Sequence, residues 1–284
     1  MTAERPAVAV SVGGWAATQP GPAPAGPDSG RAGDVLADLD AGRRRAAWPD
    51  PAVPGGWRVD ERLRDDLLEL FRRRESRTWQ LGTVFRFRDR ASLPPKELLD
   101  GEWRIVPGGT SVRAGVYLGP NVVVMPPSFV NAGAWIGEGT MVDSHVLVGS
   151  CAQIGERVHL SAGVQIGGVL EPANARPVIV EDDAFVGAQC GLFDGVLVGR
   201  SAVLAAGVVL TGTSRVFDLV HETVLLGTRD APLAIPPASV VVPATRALGG
   251  AFAGEHGLAV QCAAIVKMRD AGTSSRTALE DALR

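Results

Sequence analysis

The segment from Leu118 to Ile166 reads LGPNVVVMPPSFVNAGAWIGEGTMVDSHVLVGSCAQIGERVHLSAGVQI, and an aliphatic residue stands at every sixth position. The spacing is lost across residues 167–180 and resumes from Val180 to Val216. The sixteen matched positions are Leu118, Val124, Val130, Ile136, Val142, Val148, Ile154, Leu160, Ile166, Val180, Val186, Leu192, Val198, Leu204, Leu210 and Val216. Small residues occupy most positions one and four places after each aliphatic residue, which is typical of hexapeptide β-helix repeats. The chain is therefore predicted to be mainly β, a left-handed parallel β-helix in which three hexads form one triangular coil.

An ordinary β-sandwich does not account for this pattern. Sandwich strands alternate with a period of two and are separated by turn signals every 8 to 12 residues.

Within the hexads, the interruption at Gly168–Pro177 must leave the coil as a loop. Loops carried on a rigid scaffold commonly hold functional residues.

The predicted β-helix covers residues 104–235 and is flanked by three other regions. Residues 1–33 are rich in Ala, Pro and Gly and are predicted to be a disordered tail. Residues 34–103 are predicted to form a small α-helical N-terminal domain. Residues 236–284 are predicted to be a C-terminal segment that caps the open end of the β-helix.

Local patterns in these flanks predict individual elements. Leu63, Leu67, Leu70 and Phe71 share one helical face, and Asp60 is placed to cap that helix. Further predicted elements are strands at residues 79–87, 240–242 and 263–266 and a short helix at residues 277–283.

Composition limits the classes of partner. The formal net charge of −3 provides no general basic field, which argues against nucleic acid as the main partner. Three scattered cysteines fit a reducing compartment better than a disulfide framework. With no apolar run near the roughly 20 residues of a membrane span and no signal-peptide pattern, we expect no membrane partner and a cytoplasmic protein.

Several segments resemble one family, the tetrahydrodipicolinate N-succinyltransferases of the lysine pathway. They are Leu39–Gly42, Arg104–Pro107, Gly139–Asp143, Val148–Gly155, Val158–Ser161, Ile166–Pro172, Ile179–Asp183, Phe185–Ala188 and Cys262–Lys267. The resemblance therefore covers most of the chain after the predicted tail. It implies a homotrimer with sites between subunits, transferring succinyl from succinyl-CoA to an amine without a metal.

The resemblance also implies roles for three residues. Arg104 is expected to bind an acceptor carboxylate, for which a guanidinium offers a bidentate fork. Asp143 is expected to bind the acceptor and handle its proton, and Ser150 is expected to contribute to substrate binding. From the residues alone, a surface salt bridge remains an alternative for Arg104 and a turn position remains one for Asp143.

The chain departs from the family at Gly191, where the family carries a glutamate that is considered catalytic. Asp194 also matches an acidic family position, but it occupies another place in the hexad. His145 follows Asp143 by two residues and is a second candidate base, with a solvated turn histidine as the alternative. The departure favours either a lysine-pathway enzyme that compensates for the loss or a specialised-metabolism N-succinyltransferase acting on another amine, such as a hydrazine or an amino acid.

Four residues are candidates for contacts with coenzyme A. Gly168 and Ala206 would let the pantetheine arm approach the coils, and Lys267 and Arg269 would meet its phosphates. Ordinary solvated surface positions are the alternative for the two cations.

Two other function classes are alternatives to an acyltransferase. A carbonic-anhydrase-type zinc site on this fold needs clustered histidines and is not expected, because His145 and His159 fall on different hexad phases. A non-catalytic β-helix that binds coenzyme A without turnover is the other alternative.

Overall fold

The structure is a computed structural model that describes residues 32–81, 83, 85–170, 176–228 and 231–277. Helix α1 (Ala32–Asp40) begins one residue before the predicted end of the tail at residue 33. The rest of that predicted tail, residues 1–31, lies outside the described residues.

The chain winds into a left-handed parallel β-helix with three flat faces, named here A, B and C. Face A consists of β7 (Tyr117–Leu118), β10 (Trp135–Ile136), β13 (Gln153–Ile154), β16 (Ile179–Val180), β19 (Leu197–Val198) and β24 (Ala234–Ile235). Face B begins with β5 (Arg104–Ile105), β8 (Val123–Val124), β11 (Met141–Val142), β14 (His159–Leu160), β17 (Phe185–Val186) and β20 (Val203–Leu204). Face C consists of β6 (Ser111–Val112), β9 (Phe129–Val130), β12 (Leu147–Val148), β15 (Gln165–Ile166), β18 (Gly191–Leu192) and β21 (Val209–Leu210).

The second residue of each two-residue strand points inward, and this explains the hexad. All sixteen predicted inward positions are buried, with relative exposures between 0% and 4%. They pack into one continuous aliphatic core along the axis, so each coil is stabilised mainly by its neighbours. The first residue of each strand faces outward, where contacts with other elements or ligands are formed.

Corners between the faces recur every six residues, and many contain a residue with positive φ. At the corner between faces B and C, this position is taken by His145 (φ 61°), Gly163 (φ 74°), Gln189 (φ 60°) and Gly207 (φ 78°). The left-handed conformation turns the chain sharply enough to start the next face.

The break in the hexad is an expansion of one corner. Ile166 and Val180 are fourteen residues apart instead of six, yet β16 pairs with β13 in the regular register, with Val180 opposite Ile154. The extra residues therefore lie between faces C and A without changing the phase of the coils, and residues 171–175 of the predicted loop lie outside the described residues.

The N-terminal region contains helices and two hairpins. Helix α2 (Glu61–Arg72) is capped by Asp60, whose carboxylate accepts from the backbone N–H of Arg62 and Leu63, as predicted. The strands are β1 (Ala47–Pro49), β2 (Trp57–Val59), β3 (Ser76–Leu81) and β4 (Phe85–Arg90), and a 3₁₀ turn occupies Pro54–Gly56. The single strand predicted for residues 79–87 is wrong, because the antiparallel pairing of Leu81 with Phe85 requires the chain to reverse there.

This region covers face A and the corner between faces C and A. Ala47 packs with Ile179 and Leu197 on face A. The Arg45 guanidinium lies 4.2 Å from the Trp135 ring centroid, and Trp135 stacks on Tyr117 at 3.7 Å. Leu67 of α2 belongs to a second cluster with residues of the adjoining corner.

The C-terminal region ends the β-helix with long strands. They are β22 (Arg215–Asp218), β23 (Thr223–Leu226), β25 (Ser239–Ala247) and β26 (Ala259–Met268), with helices α3 (Ala251–Glu255) and α4 (Ala271–Thr277). Since β25 pairs with β20 through Val240 and Val241, the coil continues past the predicted boundary at residue 235. The last helix ends at Thr277, where the predicted one begins, and residues 278–283 of that prediction lie outside the described residues.

No helix within the described ranges has both the length and the apolar character needed to cross a membrane.

Candidate active site

The turn after β11 brings the two predicted catalytic residues together. Asp143 is half-buried, and its Oδ1 accepts a 2.6 Å hydrogen bond from the Ser144 backbone N–H. Two residues later, His145 is exposed at the same corner between faces B and C. The corner of the third coil thus carries a carboxylate and an imidazole two residues apart in the chain.

The surrounding coils hold this turn rigidly. The Asp143 backbone N–H donates to Leu160 O at 2.9 Å, and its carbonyl accepts from Ser128 Oγ at 3.0 Å. The His145 N–H donates to Pro127 O at 2.8 Å. Backbone contacts therefore fix the turn, in which the Asp143 side chain also accepts one hydrogen bond.

Arg104 lies on the same side of the β-helix as Asp143, in the first strand of face B. It is the outward residue of β5, it is exposed, and β5 pairs with β8, which in turn pairs with β11. Two ladder spacings separate Arg104 from the strand that ends before Asp143, or about 10 Å along the axis. A carboxylate bound to Arg104 and an amine beside Asp143 can therefore belong to one small extended molecule.

Ser150 lies at the far end of β12 from Asp143, at the corner between faces C and A. Its exposed fraction is 3%, and a Cβ on Gly168 would approach its Oγ to 2.6 Å. The structure therefore brings Ser150 and Gly168 together but separates both from the Asp143 turn.

The residues predicted to contact coenzyme A are spread over the β-helix. Ala206 is exposed at the corner between faces B and C, three coils beyond Asp143. Gly168 lies at the corner between faces C and A. Within one chain, these two positions flank face C and do not form a single groove.

The two predicted cations lie elsewhere and have partners. Arg269 Nη1 donates to the backbone carbonyls of Asp183 and Ser201 at 3.0 and 3.2 Å, at the corner between faces A and B. Lys267 Nζ donates to Asp270 at 2.7 Å, and this bond, together with those from Thr273, holds the pKa of that carboxyl below its ordinary value. Arg269 thus ties the C-terminal segment to the coils, a role that the sequence pattern did not indicate.

Gly191 is the outward residue of β18 on face C, and an aromatic ring covers it. A Cβ on Gly191 would lie 2.7 Å from Phe193 Cε2, and one on Gly167 would lie 3.0 Å from Phe193 Cδ1. Asp194 is exposed at the next corner, where its Oδ2 accepts from the Gly212 N–H at 3.3 Å. No carboxylate occupies the outward position of any of the six strands of face C, all of which the structure describes.

Phe193 and Gln165 are site-facing residues to which the sequence reasoning gave no role. Gln165 lies beside Gly191 in the ladder, and its Nε2 donates to Gly163 O at 3.2 Å and to His145 O at 3.4 Å. A signal for Phe193 was available: it stands immediately after an inward aliphatic residue, where two preceding coils carry Gly149 and Gly167. A large aromatic residue at this small-residue position departs from the repeat.

The remaining nucleophiles and metal-binding side chains do not gather at this site. Burial raises the pKa of Cys151 to about 12 and that of Cys190 to about 11, so both thiols are inert near neutral pH. The four histidines lie in separate elements, at His145, His159, His221 and His256. Among the residues described, no three or more His, Cys, Asp or Glu side chains are grouped so that they could hold a metal ion.

A family model and the sequence relatives point to one family. The family model described as a hexapeptide repeat of succinyl-transferase matches residues 177–212. A 2,3,4,5-tetrahydropyridine-2,6-dicarboxylate N-succinyltransferase from Dechloromonas aromatica is 40% identical over 255 residues, covering 88% of each chain. The protein of the same name from Rhodopseudomonas palustris is 42% identical over 255 residues, covering 87% of this chain and 86% of its own.

A solved structure from Campylobacter jejuni, a putative 2,3,4,5-tetrahydropyridine-2-carboxylate N-succinyltransferase, covers 81% of this chain and 61% of its own. Its sequence identity is 16% and its TM-score is 0.43.

Proposed function

Because the chain belongs to the 2,3,4,5-tetrahydropyridine-2,6-dicarboxylate (tetrahydrodipicolinate) N-succinyltransferase family, we propose that it moves succinyl from succinyl-CoA to the amino group of a small carboxylate-bearing amine. It is an acyl-CoA-dependent N-acyltransferase. The observation that carries the assignment of the site is the turn of Asp143 and His145, which presents a carboxylate and an imidazole on a rigid outer corner.

The reaction requires a neutral amine and the loss of protons from nitrogen. The acceptor ammonium first gives up one proton, and its lone pair then attacks the carbonyl carbon of the thioester. The C–N bond forms, a second proton leaves the nitrogen, and the C–S bond breaks as the thiolate departs and takes a proton. The products are an amide, free coenzyme A and one released proton.

Asp143 and His145 are placed to handle these protons. A carboxylate beside the ammonium orients it and accepts its first proton, and the exposed imidazole two residues away relays protons to solvent. Arg104, on the same side of the β-helix, holds the acceptor carboxylate through its guanidinium fork.

The corner between faces B and C offers a path for the acyl donor. Between Asp143 and Ala206 the successive coils present mainly small residues there, at Ser161–Gly163, Gly187–Ala188 and Ala205–Gly207. A pantetheine arm laid along this corner meets little steric obstruction and brings its thioester toward Asp143. Gly168, on the other side of face C, would serve the donor of a neighbouring protomer.

We further propose that the active unit is a homotrimer with sites between subunits. Face C is partly open in the single chain, since Val209 is 38% exposed and Phe129, Leu147 and Gln165 are half-buried. Covering this face with another copy would complete a groove that one chain leaves one-sided. Light scattering during size-exclusion chromatography should give a mass of three chains, and a monomer would contradict the proposal.

Gly191 favours a second candidate for the acceptor. With no side chain at this position and no carboxylate in the outward positions of face C, less help is available for deprotonating a strongly basic amine. A weakly basic nucleophile such as a hydrazine needs less help. A specialised-metabolism N-succinyltransferase acting on such an amine or on an amino acid is therefore the second candidate.

The decisive experiment is a thiol-release assay with succinyl-CoA and a panel of acceptors. The panel contains tetrahydrodipicolinate, 2-aminopimelate, small amino acids and hydrazines. Release with tetrahydrodipicolinate supports the lysine-pathway reaction, whereas release with another amine alone supports the specialised enzyme. Binding of coenzyme A without release for any amine would overturn both and indicate a non-catalytic protein.

A further inference from the structure

Phe193 fills the space into which a side chain at position 191 would project. A Cβ on Gly191 would lie 2.7 and 3.2 Å from two ring carbons of Phe193 and 3.5 Å from Val209 Cγ1. Contacts below 3.0 Å require the ring to move. The glycine and the aromatic ring are therefore one packing unit, in which the ring lies where a longer side chain would otherwise stand.

The packing unit is contiguous with the candidate active site. Gly191 pairs with Gln165, whose Nε2 lies 3.4 Å from His145 O at the edge of face C. The other outward residues of this face are Ser111, Phe129, Leu147 and Val209. The outward positions of the face beside the Asp143 turn are thus mainly apolar, with one hydroxyl, one amide and no charge.

We propose that Phe193 is a specificity-determining residue that selects acceptors whose group beside face C is apolar and not a carboxylate. This inference rests on the proposed function, since it assumes that the acceptor amine lies near the Asp143 turn. An apolar group gains contact with the ring, whereas a carboxylate placed there loses its hydration beside Gln165, whose Nε2 already donates to two backbone carbonyls. The expected substrate class is an amino acid or hydrazine with an aliphatic or aromatic substituent.

A matched pair of acceptors isolates this effect. The compounds are 2-aminoheptanoate and 2-aminopimelate, which share the amino acid group and the chain length and differ in a terminal methyl or carboxylate. Dissociation constants are measured by calorimetry with coenzyme A present, and kcat/KM by thiol release. The full-length protein should favour 2-aminoheptanoate in both assays by about tenfold, the discrimination expected from one apolar contact.

Variants then test the ring directly. Phe193→Ala should abolish the preference, and Phe193→Leu should retain most of it, while the KM for succinyl-CoA stays unchanged in both. Phe252→Ala is the matched control, because Phe252 is a 70% exposed phenylalanine in α3, away from face C. The double variant Gly191→Glu with Phe193→Val should invert the preference, and Gly191→Glu alone should lower the melting temperature because its side chain meets the ring.

The outcomes separate this inference from the proposed function. A binding preference that depends on Phe193 without any turnover would support the inference and overturn the transferase assignment. Turnover with the same acceptor ratio in wild type and Phe193→Ala would overturn the inference and leave the transferase assignment in place. A wild-type protein that binds 2-aminopimelate as tightly as 2-aminoheptanoate would also overturn it.

Discussion

We expect the carboxylate of Asp143 to contribute to catalysis more than to stability. Its hydrogen bond within the chain is to the adjacent Ser144 N–H, and the backbone of the turn is held by other groups. Asp143→Asn keeps a hydrogen-bond acceptor for that N–H but removes the base. We expect kcat to fall by about 100-fold or more, with the melting temperature within a degree or two of wild type.

Steady-state kinetics and thermal unfolding monitored by circular dichroism measure the two effects. Asp194→Asn is the control, because Asp194 is exposed at another corner and caps Gly212. Wild-type activity in Asp143→Asn would remove Asp143 from the mechanism.

Arg104 should act on acceptor binding more than on chemistry. Its guanidinium is exposed in the first coil, about 10 Å along the axis from the Asp143 strand. Loss of a charge-assisted pair costs about 1.5–3 kcal/mol, so Arg104→Ala should raise the acceptor KM by roughly 10- to 100-fold with a smaller change in kcat.

Arg104→Lys keeps the charge but not the fork and should give an intermediate KM. An unchanged acceptor KM in Arg104→Ala, measured at saturating succinyl-CoA, would contradict this role.

Sequence predicts the position of a residue where the hexad repeat fixes whether its side chain faces inward or outward. It does not predict which partner a long side chain binds. The hexad places Asp143 and His145 at one corner, and the structure agrees. The hexad pattern carries no information on whether the Arg269 side chain reaches solvent or donates to the carbonyls of Asp183 and Ser201. The ring of Phe193 likewise has room over Gly191 and Gly167 only because both lack a Cβ.

Among the structural elements, the turn containing His145 requires a left-handed backbone conformation at that residue. His145 has φ 61°, in the left-handed region that Asn tolerates better than β-branched residues do. His145→Asn should therefore keep the melting temperature while lowering kcat, if the imidazole relays protons. His145→Val should in addition lose about 1–2 kcal/mol of unfolding free energy.

Denaturant unfolding and thiol release measure the two properties separately. Equal stability of the two variants would show that the backbone at this corner is not constrained. Wild-type kcat in His145→Asn would remove the imidazole from catalysis.

Buried hydroxyls link neighbouring coils. Thr140 is fully buried, its Oγ1 donates to Gly155 O at 2.8 Å, and it accepts from the Val158 N–H at 3.0 Å. Thr140→Val keeps the shape but leaves a carbonyl and an N–H unpaired, so it should lower the unfolding free energy by about 1–3 kcal/mol.

The control for this change is Thr213→Val, because Thr213 is exposed and its substitution should stay within about 0.5 kcal/mol. The same loss in both variants, measured by denaturant unfolding, would mean that β propensity and not the buried hydrogen bonds decides the result.

At the element level, the strands of the β-helix could be predicted from sequence but the flanking hairpins could not. The inward residue of each hexad must be aliphatic because it is buried inside the coil, so the six-residue spacing is visible in the sequence. The β3 and β4 strands bury little, with Phe85 61% and Phe87 53% exposed, and so they carry no comparable pattern.

On the scale of the whole molecule, the buried thiols make the free energy of unfolding fall as the pH rises in the alkaline range. Burial raises the pKa of Cys151 from 9.0 to about 12 and that of Cys190 to about 11. The unfolded thiols ionise near pH 9 while the folded ones stay protonated, so their stabilising contribution is complete below pH 9 and is lost as pH rises toward 11–12.

Unfolding free energies at pH 7.5, 9.5 and 10.5 should therefore fall more steeply for wild type than for the variant with Cys151→Ala and Cys190→Ala. Parallel curves would show that other groups cause the alkaline loss.

The regular winding of the β-helix also fixes the distances between residues along its axis. Each coil advances the chain by about 4.8 Å along the axis. Adding or deleting one coil between Arg104 and Asp143 would therefore change their separation by about this distance and by no smaller amount. Corners are free of this constraint, as the insertion between Ile166 and Val180 shows by leaving the register of β16 intact. The distance between Arg104 and Asp143 can therefore change only by whole coils, whereas the side chains at each corner can change one residue at a time.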